Sequence, residues 1–153
     1  MQMELTKEIL NLMIAEAKDT FRQSSQSQKL KDILDNIDPL FTFNTRLRHR
    51  TYAQAGTVEY FCKLRKELGL TRSDKRYLID GWRQHLVIEI NPTMNNLTEE
   101  QVLNIVSHEL AHCLDFILRG FEMNRKKRKG YHDEFWANLH RNMGGDGKEL
   151  FEN

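Results

Sequence analysis

The segment from Thr98 to Arg119 limits this chain's fold more than any other. Thr98 followed by Gln101 three residues later is a capping box, and Glu99 and Glu100 stand at the positive end of a helix dipole. Val102, Ile105, Val106, Leu110, Cys113, Leu114 and Ile117 recur at helical spacing and form a wide apolar face. Gly120 is the natural stop. A helix with so wide an apolar face must be buried, and the rest of the chain has to supply the layers that bury it.

The remaining pattern supplies them. Residues 3–22 predict an amphipathic helix, with Leu5, Ile9 and Met13 spaced by four and Leu10, Ile14, Ala17 and Phe21 widening the stripe. Residues 23–28 read as a polar loop, and Leu30 to Ile37 as a short helix ending before Pro39. From Phe41 the texture becomes extended, with Gly56 read as a turn or bulge and Thr57 to Leu64 as an alternating strand. His85 to Asn91 is a strand stopped by Pro92. Asp133 to Met143 is a last helix, with Phe135, Trp136, Leu139 and Met143 on one side. The expected fold is α+β: a small antiparallel sheet packed with the buried helix and flanking helices. At 153 residues, 39% of them hydrophobic, the chain reads as one domain over 1–153, with 1–38 as a helical N-terminal extension.

The buried helix carries His108-Glu109-Leu110-Ala111-His112. Residues four apart lie one above the other on a helix, so two imidazoles can close on one tetrahedral ion, and zinc suits nitrogen ligands. Glu109 sits about 100° round the helix from His108, poorly placed as a third ligand. The role open to it is general base, taking a proton from an attacking water and passing it to a leaving group. A catalytic zinc keeps three protein ligands and one open position. A histidine six residues past His112 is ruled out, because that position is Leu118. Glu122 and Glu134 are candidates, but His132, at the start of the last helix, is the better one. His140 reads as a surface residue, Asp115 as an ordinary surface aspartate and Cys113 as core.

The helix motif, followed about twenty residues on by His132-Asp133-Glu134-Phe135-Trp136, resembles the SprT-like zinc metalloprotease domain of the SprT/Spartan family. Asn44-Thr45-Arg46-Leu47, Ala55-Gly56 and Ile88-Glu89-Ile90-Asn91-Pro92 extend the resemblance over residues 40–143. It implies a zincin-type fold and one Zn2+ per chain on His108, His112 and His132, with Glu109 as general base. Two departures stand out. Asp133 replaces the glycine that often follows the third histidine, and reads as an N-cap. The two cysteines, Cys62 and Cys113, cannot build the C-terminal zinc ribbon often found in bacterial members.

The formal net charge of +1 hides a strong pattern. Residues 44–76 hold nine Lys/Arg against three Asp/Glu, a net +6, whereas residues 77–118 hold one against six, a net −5. Arg46, Arg48 and Arg50 alternate, which places them on one face of a strand, and Arg125, Lys126, Lys127, Arg128 and Lys129 run consecutively before Gly130-Tyr131-His132. Such runs attract phosphate, so DNA is an expected partner beside a protein substrate. Tyr52 and Tyr131 read as buried aromatics rather than as base-stacking groups.

No apolar run approaches the ~20 residues of a membrane span, and the first ten residues, with Glu4 and Glu8, do not read as a signal peptide. A cytoplasmic location, or the nucleoid or nucleus with DNA, is the expectation. The leading function is a zinc endopeptidase acting on DNA-bound proteins. A silent DNA-associated zinc module and a metal-dependent hydrolase of another substrate, such as a nuclease, remain open.

Overall fold

The computed structural model describes residues 4–25, 27–43, 52–57, 85–120 and 132–148. Among them lie four α-helices and one three-stranded sheet. The alternating strand expected to run on to Leu64 lies outside the described residues beyond Thr57.

Helix α1 spans Lys7–Ser24, capped by the Thr6 hydroxyl, which accepts from the Ile9 amide. Its inner stripe, Leu10, Met13, Ile14, Ala17 and Phe21, is buried. Helix α2, Gln28–Asp35, starts two residues before the sequence suggests, because Ser27 accepts from the Leu30 amide and caps it. Strand β1 is Leu40–Phe43, β2 is Ala53–Thr57 and β3 is Leu86–Ile90.

The sheet order is β1-β3-β2. β2 pairs antiparallel to β3, but β1 pairs parallel to it, with Leu40 opposite Val87 and Phe43 opposite Ile90. The sheet is therefore mixed, not antiparallel as expected. Side-chain alternation tells which face a residue takes but carries no record of its neighbour's direction. Gly56 is neither turn nor bulge: it lies in register opposite Val87. All five residues of β3 are buried, Glu89 among them. The Glu89 carboxylate accepts from Gln54 Nε2 on β2 at 2.7 Å.

A 3-10 turn over Pro92–Asn96 leads from the central strand into α3, Glu99–Arg119. The capping box forms as expected: the Thr98 amide donates to Gln101 Oε1 at 2.9 Å, and the Gln101 amide to Thr98 Oγ1 at 3.2 Å. Gly120 ends the helix at φ 87°, where a side chain would be strained. α3 packs against α1, β2, β3 and the last helix, α4, which is Glu134–Asn142. Burial is continuous from Ile105 to Phe116 and ends there, leaving Ile117 exposed despite its place in the apolar pattern. Cys113 lies in the core as expected, as a free thiol. Side chains of α1, α3, α4 and the sheet form one hydrophobic core. Among the described residues, no helix is long and apolar enough to cross a membrane.

Candidate metal centre

α3 puts His108 and His112 one turn apart on its α4-facing side, and both are buried, 2% and 7% exposed. His132 reaches them from the residues leading into α4. The three Nε2 atoms form a nearly equilateral triangle: His108 to His112 3.2 Å, His112 to His132 3.1 Å, His108 to His132 3.2 Å. Together the three rings make a group able to hold a metal ion.

Hydrogen bonds alone do not satisfy this arrangement. A proton on one Nε2 can be offered to a neighbour, but the remaining nitrogens then face each other with lone pairs. A cation accepts all three lone pairs at once. The sizes agree: a triangle with sides of 3.1 to 3.2 Å has its centre about 1.8 Å from each corner. A point slightly off the plane therefore lies about 2.0–2.1 Å from all three nitrogens, the usual Zn–N distance. The electrostatics favour the ligating form too. Burial, then repulsion from His112, His132 and His140, holds His108 well below the ordinary imidazole value, although a backbone hydrogen bond with Lys148 opposes it. Burial and repulsion from His132 and His140 do the same to His112. Neutral imidazole is the form that binds metal.

Glu109 lies beside this triangle, with Oε1 3.9 Å from His108 Nε2 and the residue only 3% exposed. Burial pushes its carboxyl up to about 8. Its Oε2 has no hydrogen-bond partner among the described residues. A buried carboxylate oxygen left this way is costly, unless something at the site uses it.

Trp136 forms the floor. It is fully buried, and its ring centroid lies 4.5 Å from that of His108, 5.0 Å from His112 and 4.8 Å from His132. The sequence reading placed Trp136 on the apolar side of the last helix but missed that one side chain carries all three imidazoles.

Two expectations are overturned. His140 is fully buried, not a surface residue. It follows Trp136 by four and so shares its inward face, the signal that could have placed it. Its Nδ1 accepts from the Gly147 amide at 3.1 Å, so Nε2 carries the proton and faces Asn104 O at 3.1 Å and Ser107 Oγ at 3.0 Å. Asp115 is likewise fully buried. It receives two bonds from the Arg119 guanidinium, Nε to Oδ1 at 2.5 Å and Nη2 to Oδ2 at 2.8 Å. The same guanidinium donates from Nη1 to Asp133 Oδ2 at 2.7 Å and from Nη2 to Asp133 Oδ1 at 3.0 Å. As expected, Asp133 also caps α4, accepting from the Trp136 amide at 3.1 Å.

Glu134, considered as a third ligand, turns outward to Arg141 at 2.7 Å instead. Glu122, Tyr131, Arg46, Arg48, Arg50 and Arg125, Lys126, Lys127, Arg128 and Lys129 lie outside the described residues. Tyr52 is partly buried against the core.

The SprT-like family model matches residues 13–151. The chain belongs to the SprT-like family. No curated protein and no solved structure matches it. The family match starts well before residue 40, where the sequence resemblance begins, and takes in most of α1. In this SprT-like chain, the matched part of α1 supplies Met13, Ile14, Ala17 and Phe21 to the core around α3.

Proposed function

We propose that this chain is a zinc-dependent endopeptidase whose substrates are proteins bound or crosslinked to DNA. The observation that carries the reading is the convergence of three histidine nitrogens beside a buried glutamate with an unpartnered oxygen. Membership of the SprT-like family supports the same chemistry.

His108, His112 and His132 would hold the ion and leave its remaining position to water and substrate. Zinc, when bound, acts as a Lewis acid toward the scissile carbonyl and acidifies water. Glu109 handles the protons. Its carboxylate takes one from the attacking water, whose oxygen bonds to the carbonyl carbon. The same group then returns the proton to the amide nitrogen as the C–N bond breaks. Burial, which raises this carboxyl to about 8 without metal, favours its holding the proton between the two transfers. The positive charge of an ion beside it favours the carboxylate, which is the form needed first.

The retained glutamate favours an enzyme over a silent zinc module, because a structural site gains nothing from a buried carboxylate there. The DNA part of the reading is supported by charge: Arg46, Arg48 and Arg50, and the run Arg125 to Lys129 just before the third histidine.

The test is cleavage of a DNA-bound protein by the zinc-loaded chain, with and without single-stranded DNA, set against Glu109→Gln. Cleavage of the protein, stimulated by DNA and lost in the variant, is expected. Protein left intact with metal bound would point to the binding module, and scission of the DNA would point to the nuclease.

A further inference from the structure

We propose that Arg119 is a positioning residue, holding the third histidine at the metal centre through Asp133. The proposal rests on the metal reading above and extends it to a part of the chain that touches no ligand.

Two of the three histidines come from one helix, so their separation is fixed by the helix itself. The third does not share that advantage. His132 is separated from the end of α3 by residues 120–131, and its ring has to arrive within a fraction of an ångström of the other two. Something must tie the start of α4 to α3 at that point. The Arg119 guanidinium is in place to do it.

One edge of the guanidinium grips Asp115, one turn earlier on α3, and the other edge grips Asp133, the residue after His132. Four N–H···O contacts, between 2.5 and 3.0 Å, span the two carboxylates. The plane of the guanidinium is held as well, with Cζ 4.4 Å from the centroid of the Phe135 ring. Asp115 is wholly buried, and a buried carboxylate is retained at a penalty unless a partner occupies it. Its two oxygens are both taken by Arg119, which aims the rest of the fork at Asp133.

Capping alone does not explain this. To cap α4, Asp133 needs one oxygen for the Trp136 amide, and a serine would serve. The guanidinium that joins Asp133 back to α3 is additional to the cap. Lysine could not replace it, since an ammonium lacks the planar fork that reaches two carboxylates at once.

The experiment measures Co2+ binding to the metal-free full chain, by visible absorption and by competition with a chromophoric chelator. Wild type, Arg119→Lys, Asp133→Ser, His132→Ala and Glu134→Gln are compared, with the thermal midpoint of each metal-free form recorded. Asp133→Ser keeps a good cap and removes the carboxylate, so it carries the test if Arg119→Lys fails to fold. Both clamp variants are expected to bind Co2+ about ten- to a hundredfold more weakly, the usual effect of disturbing groups that orient metal ligands. Their spectra should move toward that of His132→Ala. Glu134→Gln, which breaks the outward ion pair on the same helix, should bind as wild type does. A stability role alone would lower the thermal midpoint and leave the affinity and spectrum of the folded chain unchanged. That result, with His132→Ala still impaired, overturns the proposal. Wild type that takes up no Co2+ overturns the metal reading itself.

Discussion

His112 Nε2 and His132 Nε2 lie 3.1 Å apart although twenty positions separate the two residues in the chain. The contact joins the middle of α3 to the start of α4 and completes a triangle that α3 cannot close alone. Removing the third corner should therefore show in metal affinity before it shows in the fold. We expect His132→Ala to bind zinc at least about a hundredfold more weakly, a larger effect than that of an outer partner. Chelator competition measures it, and circular dichroism should show the helices retained.

Glu109 contacts the site without belonging to the triangle. Glu109→Gln keeps size and burial while removing the proton acceptor. Metal content should stay at the wild-type level, and the rate of peptide-bond cleavage should fall by about 10²–10⁴, the usual share of a general base. Elemental analysis and a cleavage assay on the same sample check both halves. Equal loss of metal and activity would mean that the glutamate serves as a ligand.

Much of this site was legible in the sequence, for physical reasons. Thr98, Gln101 and Gly120 fix the bounds of α3, because caps and stops are local chemistry. The spacing of His108 and His112 follows from the helical repeat. Other features depend on how elements pack, which no local pattern contains. The parallel pairing of β1 with β3 is one, and the burial of Asp115 is another. Asp115 and Arg119 are four apart on one helix and so could be expected to meet, but nothing in the sequence says that Asp133 will join them. His140 reads as a surface residue because histidine type alone does not separate surface from core. Its spacing from Trp136 carried the answer.

Trp136 supports the three rings by packing, and its own exposure is 0%. Trp136→Ala should lower stability by about 3–5 kcal/mol, the range for emptying a large aromatic site. Thermal denaturation of the metal-free protein measures this. Trp136→Phe, which keeps a ring in the floor, should be affected less.

The pH dependence of the metal-free protein follows from Glu109. Its folded carboxyl titrates at about 8 against an ordinary 4.5, so the folded state holds the extra proton between those values. Stability contributed by this group is therefore present below pH 4.5 and is lost as pH rises through about 8. Metal-free Glu109→Gln should be more stable than wild type at pH 9, by a few kcal/mol, and the advantage should vanish near pH 4. Urea unfolding at a series of pH values gives the curve. An advantage of equal size at every pH would mean that packing, not ionisation, is the cause.

His140 also sets a steric limit on the turn after α4. A Cβ on Gly145 would clash with the Nε2 side of the His140 ring. Gly145→Ala should destabilise by about 1–3 kcal/mol, as overpacking does. In a His140→Ala background the same change should have much less effect. A double-mutant cycle reads the coupling, and additive effects would show that the glycine is needed for another reason.

His108, His112 and His132 of this SprT-like chain form a group able to hold one metal ion. Zinc stoichiometry tests it most directly: the folded chain is dialysed against zinc, washed with zinc-free buffer and analysed for metal. One zinc per chain is expected, retained through the wash and removed by a strong chelator. A folded wild-type chain that holds no zinc after this treatment would contradict it.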